Sequence, residues 1–380
     1  MFNRRKPRRA CSARRILFVQ YALTPGGASK VAIEDALALQ HQGFQVGFAS
    51  DMGSWRGRLA GGQVSFHRLY FLDPERYSPW GRYGLGIPLT IVALLYLVWR
   101  YQYGCIYVHH QQSSIPAAIV ARLTGAGYVF CAHLDFRGSR YLAYPGQHVI
   151  AVSQAVKEKY MTKFGLPSEV ITVLPNAVET NIGPVSKECV AAFEQRWNID
   201  PQAPVVACVA LLNAQKAHHI LLNAWQQVVV DFPHAVLVLA GDGPLRAQLE
   251  NQSANLGIFK NVRFLGMVDD MSVVYWRASF IVLSSNTEGM PMAPLEAAVY
   301  GRPAVATAVG GTPEVVLDEQ TGLLVKPDDV ALLAEAIIRL LGNSALSQTL
   351  GSNARALVQG RHSSAARAVV LGNYFSGLTK

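Results

Sequence analysis

Short apolar runs bounded by turn residues alternate along the chain with stretches whose apolar positions return at helical spacing. In the first half, Ile16–Gln20, Gln45–Ala49, Val64–Tyr70, Cys105–His109, Tyr128–Ala132, Val149–Val152 and Val170–Leu174 read as strands. Between them Ala28–Gln42, Ile115–Leu123 and Ser153–Phe164 read as helices. Ser153 fits an N-cap, with Val156, Tyr160 and Phe164 recurring on one face. Nearly continuous apolar strands separated by helices mean βαβ units, that is, a parallel sheet covered on both faces. The pattern pauses from Asn176 to Pro204, where only Val190–Trp197 reads as helical. It resumes with Val205–Leu212, Ala235–Ala240, Val262–Leu265, Phe280–Ser284 and Ala304–Thr307.

The expected fold class is therefore α/β, with two Rossmann-like domains whose parallel sheets face each other across a cleft. The expected organisation is a basic flexible arm (1–14), a first domain (15–180), a second domain (181–360) and a C-terminal helix (361–380) returning to the first. In such sheets ligands bind beyond the carboxyl ends of the strands. No G-x-G-x-x-G occurs in either half, which disfavours a dinucleotide enzyme.

Composition narrows the class. The chain has 380 residues, 51% hydrophobic and only 16% charged, the reverse of a disordered protein. Cys11, Cys105, Cys131, Cys189 and Cys208 are odd in number and never form a C-x-x-C pair, so a reducing compartment fits better than a disulfide framework or structural zinc.

Net charge changes the picture more. The 34 basic and 25 acidic residues leave +9, but Arg4, Arg5, Lys6, Arg8, Arg9, Arg14 and Arg15 supply seven of those charges from the first 15 residues. The other 365 residues carry only +2. Such an arm suits an anionic membrane surface; the body shows no nucleic-acid motif, so nucleic acid is not expected as a partner. Ile16–Leu23 is too short and polar for a signal peptide and runs into Thr24-Pro25-Gly26-Gly27. Leu85–Trp99 is uncharged over 15 residues, whereas a bilayer span needs about 20. It reads as a helix buried against a sheet; the flanking Tyr83, Arg100, Tyr101 and Tyr103 also fit an interfacial helix.

The most informative segment is Ser284–Pro303, SSNTEGMPMAPLEAAVYGRP. A strand ends, a loop carries Glu288, and a helix begins near Ala293 or Pro294, where proline costs no hydrogen bond. Loop amides and a helix N-terminus offer donors and positive potential to a phosphate. Glu288 and Glu296, eight positions apart, are carboxylates able to accept from vicinal sugar hydroxyls.

This E-x7-E segment, within E-G-x-P…L-E-A-x-x-x-G-x-P, resembles the nucleotide-sugar signature of family-4 glycosyltransferases with the GT-B fold. Further pieces agree in order: Pro25-Gly26-Gly27, His133 after a strand, Val152-Ser153-Gln154-Ala155-Val156, Leu174-Pro175-Asn176-Ala177-Val178-Glu179, Gly241-Asp242-Gly243-Pro244 and Gly310-Gly311-Thr312-Pro313-Glu314. The resemblance implies a nucleotide-diphosphate-sugar donor in the second domain, bordered by Gly241, with Glu296 on the ribose and Glu288 near the hexose. It implies that Gly289, Met290, Pro291, Met292, Ala293, Pro294 and Leu295 cradle phosphates and sugar, and that Lys216 neutralises the leaving diphosphate. His133 would approach the donor sugar, and Gly26 and Gly27 would border the acceptor. Transfer would retain anomeric configuration, with no cofactor and no metal; the chain contains no D-x-D triplet.

The implied partners are the donor and a glycan or glycolipid acceptor. Acceptor choice is expected in Met52–Arg58, Asp73–Arg82 and Asp135–Tyr144. The implied place is the cytoplasm, peripheral on the cytoplasmic face of the inner membrane. One departure concerns the diphosphate clamp. Where the family usually reads G-R-L…K-G, this chain has Leu211 at the arginine position and Lys216-Ala217 at the end. Ala177 likewise replaces a usual glycine. The pairs His109–His110 and His218–His219 lack a carboxylate or cysteine partner at ligand spacing, Cys131 is not expected to be a nucleophile, and Glu314 suits a first helical turn.

Overall fold

In the computed structural model, which describes residues 14–51, 53–59, 62–69, 86–134 and 148–378, every pair of neighbouring strands runs parallel. Packing divides the chain into two units, residues 1–176 with 364–380, and Ala177–Ser363. The first contains β1 (Arg15–Ala22), β2 (Gln45–Asp51), β3 (Ser65–Arg68), β4 (Cys105–Val108), β5 (Gly127–Ala132), β6 (His148–Ala151) and β7 (Ile171–Val173). Their order is β3-β2-β1-β4-β5-β6-β7. The chain winds outward from β1 to β3, then crosses back to β4, so the direction of winding reverses between β1 and β4 and leaves a crevice at their carboxyl ends.

The apolar period sets the register. Phe18 pairs with Phe48 on one side and Tyr107 on the other; the rings lie 5.6 and 5.1 Å apart, all fully buried. Helices Gly27–His41, Ile87–Tyr101, Ser114–Thr124 and Gln154–Phe164 carry the crossovers. Ser153 caps the last of these, its Oγ accepting from the Val156 amide at 3.1 Å. Helix Ser364–Gly377 belongs to the same unit, with Phe375 stacked edge-on to Tyr107 at 5.1 Å.

The second unit contains β8 (Val205–Val209), β9 (Val236–Ala240), β10 (Val262–Gly266), β11 (Phe280–Leu283), β12 (Ala304–Thr307) and β13 (Gly322–Val325), ordered β10-β9-β8-β11-β12-β13. The reversal falls between β8 and β11. Trp225, Leu221 and Val228 from helix His218–Asp231 and Ile337 from helix Val330–Gly342 bury one face of this sheet in a single core. The fold class is therefore α/β with two Rossmann-like units.

Some expectations change. The strand read as Val205–Leu212 stops at Val209; beyond it the Leu212 amide donates to Asp242 at 3.0 Å and the Asn213 amide to Leu211 at 2.9 Å, closing a turn. The structure adds a strand, β13 (Gly322–Val325), that the sequence reading lacks. The 87–101 helix is not buried all round. Thr90, Leu94, Leu97 and Val98 pack inward, while Leu89, Val92, Tyr96 and Trp99 are exposed. Residues 1–13 of the basic arm and the loops Asp73–Arg82 and Asp135–Tyr144 lie outside the described residues. No single described helix is long and apolar enough to cross a membrane.

Candidate functional site

In the second unit, the turn after β8 and the loop after β11 are tied together where the winding reverses. The Gln215 side-chain amide donates to the Thr287 carbonyl at 2.9 Å, the Asn286 amide donates to Gln215 at 2.9 Å, and Ser284 Oγ donates to the Lys216 carbonyl at 3.0 Å. Asn213 Oδ1 holds the Lys216 amide at 3.2 Å. These bonds set Lys216 Nζ 2.6 Å from Glu288 Oε1, and the same oxygen accepts from Ser285 Oγ at 2.7 Å. Glu288 is only 6% exposed. Its charge is thus matched by a single partly exposed ammonium and a hydroxyl, an arrangement that leaves the lysine able to meet a second anion.

Gly310 is required here by geometry. At φ +52°, a Cβ on it would lie 1.7 Å from the Glu288 carbonyl oxygen, so this turn packs directly on the Glu288 backbone. Helix Met292–Val299 follows the loop, and no side chain caps its N-terminus. Along this helix Met292, Glu296 and Tyr300 form its partly exposed line, while Ala293, Pro294 and Leu295 are buried. Gly289, Met290 and Pro291 are buried as well, so from this stretch only backbone and the Met292 and Glu296 side chains reach the surface.

Glu296 has a partner the sequence did not reveal. Tyr275, from helix Ser272–Arg277, donates its hydroxyl to Glu296 Oε2 in a short hydrogen bond, and its ring stacks on Tyr300 at 6.0 Å. Burial and then the Glu296 carboxylate push the Tyr275 phenol well above its usual range, so it remains a donor. Twenty-one positions separate these residues; no local motif links them.

The two departures at the diphosphate clamp differ in kind. Leu211 is 38% exposed at the end of β8, so no core packing accounts for an apolar residue there. Ala217, at the family's glycine position, holds φ +46° while almost fully buried. An alanine in this left-handed conformation costs about 1 kcal/mol relative to glycine. Ala177, by contrast, is not among the residues with positive φ, so its backbone does not demand a glycine. His218 is buried, and its pKa falls to about 4, first through burial and then through Lys216 and His219. It is a neutral ring rather than a replacement cation.

In the first unit the corresponding reversal gathers a second set of groups. Gly26 precedes helix Gly27–His41 after β1, His109 and His110 follow β4, and His133 follows β5. His109 Nδ1 and His133 Nε2 are 3.1 Å apart. Both rings are held well below the ordinary histidine pKa, chiefly by burial; for His133 the neighbouring His109 and then Arg367 lower it further. Cys131 completes a group whose potential ligand atoms all lie within 4.8 Å. The statement that these histidines lack a cysteine partner is therefore corrected: β4 and β5 are neighbours, and pairing brings Cys131 to His109 although 22 positions separate them. The thiol is pushed up to about 12 by burial, which keeps it protonated. Arg367 and burial both oppose added positive charge in this cluster.

Two doubly wound parallel sheets, each with polar side chains at its reversal point, define an α/β protein of the GT-B class. The chain belongs to the family-4, group 1 glycosyltransferases: a model described as "Glycosyltransferase Family 4" matches residues 25–182 and one described as "Glycosyl transferases group 1" matches 191–357. Over 225 residues it is 29% identical to an uncharacterized glycosyltransferase of Methanocaldococcus jannaschii, covering 58% of this chain and 57% of that one. Over 223 residues it is 28% identical to the GDP-mannose-dependent alpha-(1-6)-phosphatidylinositol monomannoside mannosyltransferase of Mycolicibacterium smegmatis, covering 56% of each. The chain thus spans about half the length of these curated relatives. Among solved structures, Anabaena Alr3699/HepE in complex with UDP-glucose matches with a TM-score of 0.83 at 23% identity, covering 96% of this chain and 99% of that chain. At that identity the likeness establishes the fold.

Proposed function

We propose that this chain is a retaining hexosyltransferase, using a nucleotide-diphosphate sugar and a hydroxyl of a glycan or lipid-linked glycan precursor. The observation that supports it most is the Lys216–Glu288 pair at the β8/β11 reversal, beside an uncapped helix N-terminus and Glu296. In this reading the helix amides and Lys216 receive the diphosphate, Glu296 accepts from the ribose hydroxyls, and Glu288 accepts from the hexose. The anomeric C–O bond to the diphosphate breaks as the bond to the acceptor oxygen forms. The acceptor proton passes to the departing phosphate, whose growing charge Lys216 offsets. His133, neutral and hydrogen-bonded to His109, serves as a polar contact for the sugar from the first unit, and Gly26 and Gly27 border the acceptor. No metal or cofactor is assigned. The reading places the protein in the cytoplasm, with residues 1–15 as an electrostatic tether to an anionic membrane surface.

A donor screen by thermal shift, followed by mass spectrometry of acceptor products and NMR of the new anomeric centre, tests the reaction. Stabilisation by one nucleotide sugar and a retained anomer are expected; indifference to every nucleotide sugar would overturn the proposal. A second reading, a sugar-nucleotide-binding relative with weakened catalysis, is favoured by Leu211 and predicts donor binding without transfer or hydrolysis.

Two substitutions sharpen the assignment. Leu211→Arg returns a guanidinium to an exposed position at the clamp. A charged hydrogen bond of about 1.5–3 kcal/mol corresponds to a gain in donor affinity of roughly 10- to 100-fold by calorimetry. No gain would mean that the diphosphate does not reach Leu211. Tyr275→Phe removes the hydroxyl that holds Glu296, and should weaken binding of the nucleoside diphosphate about tenfold. The same variant should not change the affinity of a 2′,3′-dideoxy analogue, which a general loss of structure would also weaken.

A further inference from the structure

We propose that the exposed sides of helices Ile87–Tyr101 and Ser114–Thr124 form an interfacial docking face for an anionic phospholipid bilayer. This rests on the tether reading of residues 1–15 given above and adds an apolar insertion element to it. Leu89, Val92, Tyr96 and Trp99 recur three and four positions apart, and are 40, 63, 57 and 71% exposed. They form one stripe on the side opposite Leu94, Leu97 and Val98, which pack inward. Helix Ser114–Thr124 packs beside this helix and adds Leu123, 67% exposed. An exposed apolar stripe of this kind on one helix marks a surface for a partner.

Charge identifies the partner. Neither helix contains an acidic residue, and Arg100 and Arg122 are both exposed. Arg15 Nη1 donates to the Tyr101 carbonyl at 3.1 Å, which sets this arginine at the C-terminal end of the apolar helix. Arg15 is also the last of the seven basic residues that the sequence concentrates, with no acid, in its first 15 positions. Aromatic side chains flanked by arginines at the edge of an apolar stripe match the interface of a bilayer, where the rings sit at headgroup level. With 15 residues the helix is about 22 Å long, short of the ~30 Å hydrocarbon core, and its inner face is already buried by Thr90, Leu94, Leu97 and Val98. It lies along the surface rather than crossing it. Exposed arginines beside the stripe, with no acidic residue on either helix, favour anionic lipid.

Flotation of the full chain with phosphatidylglycerol-containing and purely zwitterionic vesicles tests this. Binding is expected to the anionic vesicles and to fall as salt rises. Val92→Asp, at an exposed site where folding is unaffected by circular dichroism, should lower the bound fraction at least tenfold. Trp99→Phe should keep binding but abolish most of the blue shift in tryptophan emission that vesicles produce. Removal of residues 1–13 should weaken binding and flatten its salt dependence while leaving the Trp99 blue shift at high lipid. Val92→Asp floating like the parent chain would overturn the docking face even if the tether holds. Conversion of a dimer into a monomer by Val92→Asp, with no vesicle binding by the parent, would assign the stripe to a second copy instead. None of these readouts involves a sugar donor, so a failure here is distinct from a failure of the glycosyltransfer proposal.

Discussion

Lys216→Ala is expected to lower kcat by about 10²–10³, the cost typical of removing one preorganised electrostatic group from a site where charge develops. Its ammonium sits 2.6 Å from Glu288 with a fifth of the side chain exposed, poised between a buried carboxylate and the open end of β8. The substitution also leaves Glu288 short of its counter-ion. The stability lost on that account should be less than the ~3–5 kcal/mol of a wholly buried pair, because Lys216 is partly solvated. The two consequences can be separated. Lys216→Ala combined with Glu288→Gln removes the uncompensated charge and should recover most of the melting temperature. It should not recover turnover, because no cation then meets the leaving diphosphate. Recovery of kcat in the double variant would show that Lys216 acts only as structural counter-ion to Glu288.

The largest effect on stability is expected at Arg367. This guanidinium is almost fully buried and bidentate to Asp35, Nε to Oδ1 and Nη2 to Oδ2, both at 2.9 Å. Nη1 donates to the carbonyls of Leu174 and Pro175 at 2.8 and 2.6 Å. Burial works against its charge, but the Asp35 carboxylate, through its charge and its hydrogen bonds, outweighs burial, so the Arg367 pKa stands above the ordinary arginine value. Arg367→Ala leaves a buried carboxylate and two orphaned carbonyls, and should cost about 3–5 kcal/mol, or roughly 10 °C in the melting temperature. Arg367→Met with Asp35→Leu removes both charges and should restore much of that loss in urea unfolding. A single variant that melts with the parent protein would show the pair to be energetically neutral.

These expectations rest on contacts of very different legibility. The strand-and-helix alternation was plain because parallel strands buried on both faces must be apolar throughout. The loop and helix carrying Glu288 and Glu296 were legible for the same local reason: Pro294 and the apolar frame around them place the carboxylates within one loop–helix unit. Ser153 as a cap was equally local. Tyr275 was not, because nothing in its own segment distinguishes a tyrosine that fills a core from one that holds a carboxylate.

By itself, then, the sequence determined the class of fold, the two α/β halves, the surplus of basic charge in the first 15 residues and the carboxylate-bearing loop. All of these are matters of period, composition and near neighbours. Tertiary structure decided that Lys216 and Glu288, 72 positions apart, share one hydrogen bond, and that Cys131 joins His109 and His133. It decided that only one side of the Ile87–Tyr101 helix is covered, since an apolar helix does not specify which of its faces will find a neighbour. Strand pairing and winding reversal bring distant loops together at the carboxyl ends of the sheets, and no local pattern records which residues will meet there.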